Sequence, residues 1–413
     1  MDRRYEKYNS GSDKMISVGI DVSKGKSMVC IMKPYGEVIA SPYEITHTEP
    51  EVTKLSQRLL ALEGEVRVVV EATGAYHLPV LCSLQQAGIF VAVINPLVMK
   101  KYASAAIRKG KTDKLDSVKI ANYGLDNWFH LEDYRAPAEI YADLKLLGRQ
   151  YQHYIALSVM SLNSLTHLLD GVMPGIKTLL RPSKEGRKGS KLGDFVEEFW
   201  HFDSIKKMSE QRFVNTYCRW AKKKGYHSSE RKAQAIYAIA QNGIPSLPAT
   251  PLTKTLVLEA VRVLRELDKT LESILSQMQQ LASSLPEYPV VMAMKGVGAA
   301  LGPRLISEIG DVRRFHSGSA LVAFAGIDAP PYESGSFVGT QRSISKRGSP
   351  VLRKTGYEIM KALKTTKPTE DAAVYEFMLK KEAEGKHKKA AKIAGLNKFL
   401  RIYYARVMEV YSE

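Results

Sequence analysis

Short apolar runs dominate the first hundred residues. Ile16 to Ile20, Ser27 to Met32 and Val66 to Val70 are rich in β-branched residues and too short for helices, so each predicts a buried strand. Val22-Ser23-Lys24-Gly25-Lys26 between the first two predicts a hairpin turn. After the third, Ala72-Thr73-Gly74-Ala75-Tyr76 predicts a strand-to-helix passage in which Gly74 lets the backbone bend, and Ile89 to Ile94 predicts one more strand. The order strand, hairpin, strand, helix, strand, helix is that of a ribonuclease H-like α/β core, placed at residues 1–135. Beyond it the chain becomes mostly helical. Leu144, Leu147, Tyr151, Tyr154, Ile155, Leu162 and Leu165 predict one long helix. Val257, Ala260, Leu264, Leu267, Leu271, Ile274, Met278 and Leu281 alternate spacings of three and four, a heptad seam that predicts a second. Residues 136–285 are therefore expected to form a coiled-coil hairpin with a Gly-, Ser- and Lys-rich insert, about 174–250, at its tip. A third, mainly helical domain fills 286–413; Lys295-Gly296-Val297-Gly298 before Ala299 to Ile309 looks like a helix-hairpin-helix element, whose glycine amides suit a DNA phosphate.

Four acids sit at telling places in this pattern. Asp21 closes the first strand, Glu71 closes Val66 to Val70, and Asp113 and Asp116 lie three apart in Lys111-Thr112-Asp113-Lys114-Leu115-Asp116. Any one of them alone reads as a turn residue or helix cap. Together, two carboxylates at strand ends and two on one helix face can converge, and an all-oxygen set of that kind suits Mg²⁺ or Mn²⁺ with room left for phosphate.

Charge points to the same class of partner. Sixty Lys and Arg against 43 Asp and Glu give a net charge of +17, which attracts polyphosphates and repels anionic metabolites. Between Ile176 and Ala235 fifteen basic residues face seven acidic ones, including the run Lys222-Lys223-Lys224. Trp200, Phe202, Phe213, Tyr217, Trp220 and Tyr226 are interleaved with them, which suits backbone contact plus base stacking; the weaker alternative is a helical subdomain whose rings form its own core. Cys30, Cys82 and Cys218 are an odd, scattered set without metal-ligand spacing, as expected in a reducing cytoplasm. Met1 to Ser10 is polar rather than signal-like, and no apolar run of membrane-spanning length is expected.

The distal block is Phe324-Ala325-Gly326-Ile327-Asp328-Ala329-Pro330-Pro331-Tyr332-Glu333-Ser334-Gly335, followed by Arg342, Ser345, Lys346, Arg347, Gly348, Arg353 and Lys354. A serine in a Gly-flanked loop before a cationic stretch is by itself a turn residue more often than a nucleophile. The acid series, the phrase Val70-Glu71-Ala72-Thr73-Gly74 and this distal block, in that order, resemble the DEDD-type insertion-sequence transposases, the IS110 and Piv invertase family. The resemblance spans about 15–125 and about 285–405; the basic insert does not align.

That resemblance implies a site-specific recombinase with a RuvC-like N-terminal domain, a coiled coil and a C-terminal transposase domain. It makes Asp21, Glu71, Asp113 and Asp116 the catalytic metal ligands and Ser334 the nucleophile; Ser345, beside Lys346, is the nearest rival. It also implies double-stranded donor and target DNA, a noncoding guide RNA encoded in the element's own end, and a dimer or tetramer at the bacterial nucleoid. Lys222, Lys223, Lys224, Arg342, Lys346, Arg347 and Arg353 are the expected nucleic-acid contacts. The competing expectation is a metal-dependent, structure-selective nuclease in which the acids alone activate water.

Overall fold

Five strands, β1 (Met15–Ser23), β2 (Lys26–Met32), β3 (Val38–Thr46), β4 (Glu65–Glu71) and β5 (Phe90–Ile94), build one sheet in the order β3-β2-β1-β4-β5. β1, β2 and β3 pair antiparallel, whereas β4 and β5 run parallel to β1, so the hairpin forms one edge and the crossovers the other. This is the ribonuclease H-like order, here in a computed structural model that describes residues 14–72, 74–104, 112–180, 191–329 and 343–412, with the backbone of 333–334 and 337–338. The described chain divides into two compact units at the Ala136–Pro137 bond.

In the first unit β1 is buried on both faces, as a central strand with helices on each side must be. Ile16, Val18 and Ile20 with Val68 and Val70 pack on α1 (Glu49–Leu60) and α2 (Leu78–Gln86). The opposite face takes α3 (Pro96–Ser104) and α4 (Asp113–Asp126), with Val69, Ala92, Met99 and Ile120 in contact. Helix α4 crosses β1 over Gly19, where a Cβ would overlap the Ser117 carbonyl and the Ala121 amide. Only glycine lets the helix lie this close. Gly19→Val is therefore expected to lower stability by at least about 1–3 kcal/mol through overpacking. A denaturation midpoint of the full chain equal to that of the unmodified protein would contradict the close approach.

Among the described residues, the second unit is helical apart from one two-stranded ribbon. Its spine is an antiparallel pair, α5 (Glu139–Val172) and α11 (Pro251–Ser283). Between them lie α6 (Ile176–Leu179), α7 (Lys191–Glu198), α8 (Phe202–Lys206), α9 (Glu210–Lys223) and α10 (Glu230–Asn242). After them come α12 (Tyr288–Ala293), α13 (Leu301–Ile309), α14 (Gly318–Ala325), β6 (Glu333–Ser334), β7 (Phe337–Val338), α15 (Pro350–Thr366), α16 (Ala373–Ala383) and α17 (Lys388–Val410). Thr250 caps α11 by accepting from the Thr253 amide, and Pro251 occupies its first turn, where the missing N–H has no partner to lose.

Each end of the spine is buried in a different core. Leu165, Leu169 and Val172 meet Val257, Val261 and Leu264 in the core of the insert. Tyr141 and Leu144 meet Ile274, Met278 and Ala282 in the core of the C-terminal helices. The expected seam is thus deep at its ends, while Leu267 and Leu271 at its middle are only half-buried. By length and composition α5 could cross a membrane, which the sequence reading did not anticipate; it is the sole such helix among the described residues, and both its ends lie in packed cores. Buried Glu287 joins the start of α5 to the end of α17, accepting from Tyr141 at 2.7 Å and Tyr411 at 2.5 Å. Burial, with that bond to Glu287, pushes the Tyr411 phenol up to about 12.

Candidate active site

The acids of the first unit share one end of one sheet face. Ser17, Gly19 and Val69 face α4, since a Cβ added at Gly124 would meet Ser17 and Val69 and one added at Gly19 would meet the α4 backbone. Side chains alternate along a strand, so Asp21 and Glu71 lie on that same face. They stand one step beyond the paired Ile20 and Val70 of adjacent parallel strands. Helix α4 runs antiparallel to β1, with Ser117 and Ala121 over Gly19 and Gly124 over Ser17, which directs its first turn toward Asp21. That turn carries Asp113 and Asp116 behind the Thr112 cap. Negative charge there also suits the positive end of the helix dipole. The Lys26 ammonium, opposite Ser23 on the hairpin, donates to Glu44 at 2.7 Å and is raised above its ordinary value by that carboxylate first and then by the charge of Asp113.

Oxygen-only donors suit a hard divalent cation, and Asp21, Glu71, Asp113 and Asp116 are the residues that would hold it. The side chains are not closed around one point. Among the described residues no three of His, Cys, Asp and Glu are grouped for a metal ion, and Asp116 is turned to Lys119 at 2.7 Å. Loading a cation would exchange that ion pair for a metal–carboxylate contact.

In the second unit Ser334 ends β6 and pairs with Phe337 of β7. The stem below this ribbon is closely tied. The amides of Ser345, Lys346 and Ser349 donate to the carbonyls of Asp328, Gly326 and Phe324 at 2.8, 2.9 and 2.7 Å. The Ser345 hydroxyl donates to the Asp328 carboxylate at 2.5 Å, and the Arg347 amide donates back to the Ser345 oxygen at 3.3 Å. Gly326 (φ 63°) and Gly348 lie so close that a Cβ on either would overlap the other strand of the stem. Lys346 holds a left-handed backbone, φ 54°, which a non-glycine residue adopts at an energetic cost and which clusters at functional sites.

The expected cationic contacts divide three ways. Lys346, Arg347, Lys222, Lys223 and Lys224 are exposed. Arg353 is half-buried and donates from one nitrogen to the carbonyls of Ala325 and Gly348, which makes it part of the stem. Arg342 lies outside the described residues. The stacking reading of the insert's aromatic residues is corrected: Phe202, Phe213, Tyr217 and Trp220 are buried in the insert's own core, the last three packed edge-on or tilted with Phe195, Phe199 or one another, so their faces are not presented to bases.

Two acids were missed by sequence reasoning. Asp328 stood inside the distal block without a role. Glu308 is buried and accepts from Ser349, the cap of α15, at 2.5 Å and from Arg149 at 3.0 Å. Arg304 and Glu308 one turn apart in an otherwise apolar helix were the available signal, because charges at buried positions need partners.

Two family models match the chain. One, for DEDD transposases of the IS110 type, described as a transposase, matches residues 18–174 and so contains all four acids. The other, described as the transposase IS116/IS110/IS902 family, matches residues 288–376 and contains Ser334 and its stem. The insertion element IS110 uncharacterized 43.6 kDa protein of Streptomyces coelicolor is 22% identical over 326 residues, covering 79% of this chain and 78% of its own. Among solved structures, RuvC of Thermus thermophilus covers 29% of this chain and 99% of its own at 14% identity and a TM-score of 0.22. T. thermophilus RuvC in complex with a Holliday junction substrate covers 28% and 94%, at 14% identity and a TM-score of 0.21. With both halves of the family's pattern present in order, the chain belongs to the IS110 family of transposases, enzymes that cleave and rejoin DNA.

Proposed function

We propose that this transposase cuts DNA through a serine ester: the Ser334 oxygen attacks the scissile phosphorus, assisted by the carboxylates of the first unit and Mg²⁺ or Mn²⁺. What supports the metal half is the placement of Asp21 and Glu71 at the ends of adjacent strands on the face that α4 covers, with Asp113 and Asp116 in the first turn of that helix. When bound, a divalent cation lowers the charge on the phosphate and stabilises the leaving oxygen. The Ser334 hydroxyl gives up its proton as its oxygen bonds to phosphorus, and the deoxyribose oxygen leaves with a proton. Attack by a sugar hydroxyl of a second strand reverses the step and frees the serine, so the energy of the broken bond is kept for rejoining. Exposed Lys346 and Arg347 neutralise the phosphate that the stem brings near Ser334.

One observation favours a second nucleophile. Ser345 already donates to a carboxylate, Asp328, which is the arrangement of a serine with its own base. The hydrolytic alternative, carboxylates activating water with no ester, remains the competing class. Chelation with EDTA, followed by readdition of Mg²⁺ or Mn²⁺, tests the metal on a plasmid carrying the gene and its flanks. Cleavage should vanish and return; cleavage that survives chelation contradicts the assignment.

The DNA and RNA partners rest on the same resemblance, and the role of the insert, which lies outside it, rests on its basic charge. Donor and target are double-stranded DNA, an element-encoded noncoding RNA guides their choice, and the insert's basic residues, Lys222 to Lys224 among them, bind nucleic acid at the bacterial nucleoid. A homo-oligomer, a dimer or tetramer, assembles through the coiled-coil pair. In support, the middle of the pair leaves Leu267 and Leu271 half-covered and Val159 and Met160 exposed. Leu267→Glu with Leu271→Glu is expected to lower the mass measured by light scattering with the helical content intact. An unchanged mass would place the assembly contacts elsewhere.

A further inference from the structure

The insert lies between the stretches that the two family models match, and the chemistry of strand cleavage leaves it without a task. Its α9 has two sharply different sides. Phe213, Val214, Tyr217, Trp220 and Ala221 are buried, fixed by ring contacts such as Tyr217–Trp220 at 5.5 Å and Phe195–Trp220 at 5.7 Å, so the helix is held rigidly. Arg212, Asn215, Arg219, Lys222 and Lys223 are exposed. Their spacings of three and four put them on one stripe of the helix, about 16 Å long at about 1.5 Å per residue. Gln211 borders the stripe and donates to the Asn215 side-chain oxygen at 3.3 Å.

The charge of this stripe is not balanced from within. Among the described residues none of Arg212, Arg219, Lys222 and Lys223 takes part in an ion pair. On α11, by contrast, Arg262 pairs with Glu259, Lys269 with Glu266, and Arg265 with Asp194 and Glu197. The sole acid on α9 is Glu210 at its first position. A solvated face needs only lysines. This one mixes Arg, Asn and Gln, the side chains that read base edges, with a terminal pair of lysines suited to phosphates.

We propose that the outer face of α9 reads duplex DNA from the major groove, with Arg212, Asn215 and Arg219 at base edges and Lys222 and Lys223 on the backbone. The proposal rests on the reading of the insert as a nucleic-acid-binding module. B-form DNA is the fitting partner because its major groove is about 12 Å wide and admits a helix, whereas the A-form groove is too narrow for side chains to read. The buried aromatic core gives such a helix the rigid backing that discrimination between bases requires.

The test uses the full chain with Asp21→Asn to prevent cutting, and a pool of duplexes about three turns long with a randomised centre. The expected result is an enriched motif that Arg212→Ala with Asn215→Ala relaxes, with a loss of roughly tenfold to a hundredfold on the selected sequence. Lys222→Gln with Lys223→Gln should instead weaken binding to every duplex alike and reduce the salt slope by roughly one per lost phosphate contact. These side chains are exposed, so unchanged thermal melting verifies the fold of each variant. No motif, or a motif that the Arg212 and Asn215 variant still selects, overturns base reading while leaving the insert a binding surface if the lysine variant still loses salt slope. Unchanged affinity and slope in both variants overturn the binding module as well. Stronger protection of α9 from chemical modification by an RNA hairpin than by a duplex of equal length overturns the choice of DNA.

Discussion

Asp21→Asn and Glu71→Gln are each expected to abolish strand cleavage with the fold intact. Each change removes a charge at almost constant volume, and neither residue belongs to the apolar core that holds the sheet together. Losses of about 10- to 100-fold follow when even a residue supporting a metal ligand is changed, so a ligand itself should cost at least about a hundredfold. Asp113 and Asp116 need not weigh equally: Asp116 is paired with Lys119, whereas Asp113 acts on Lys26 near the hairpin. Cleavage assays on the purified variants, with circular dichroism as the folding control, read the result. Full activity in the Asp21 and Glu71 variants would remove the metal site from the account.

The second large effect belongs to Ser334→Ala. DNA and metal should bind as before, since only one hydroxyl has gone, but no protein–DNA ester should form and cleavage should fall by at least on the order of 10⁴-fold, as when a covalent nucleophile is lost. Ser345→Ala is the informative control. Its hydroxyl ties Asp328 to the stem, so its removal should lower the rate by loosening the ribbon while leaving the ester on Ser334. An ester that disappears with Ser345 and persists without Ser334 would exchange the two roles.

Much of this was legible from local pattern. The β-branched runs ending at Asp21 and Glu71 gave two neighbouring strands because burial on both faces demands continuous apolar sequence, and α4 was legible through the three-residue spacing of its acids. β3 was not: Pro42 and the polar residues around it break the alternation, which an edge strand tolerates because its outer side needs no ladder. The insert was misread for a different reason. Aromatic residues among lysines look alike whether they face nucleic acid or each other, and composition does not record which side of α9 the rings occupy. Only the offsets of one or two residues between Phe213 and Arg212, Tyr217 and Arg219, and Trp220 and Lys222, which turn the two sets to different sides of the helix, separate the two faces. Asp328 and Glu308 escaped notice because their partners, Ser345 and Ser349, are brought to them by the return of the chain after the ribbon.

The central claim is a covalent serine–DNA intermediate, and one measurement addresses it directly. A suicide duplex bearing a nick near the scissile phosphate would trap the ester; digestion and mass spectrometry would then locate the peptide that carries the nucleotide. The account predicts the adduct on Ser334. An adduct on another residue would contradict the assignment, and efficient cleavage with no adduct would establish the carboxylates as a hydrolytic nuclease site.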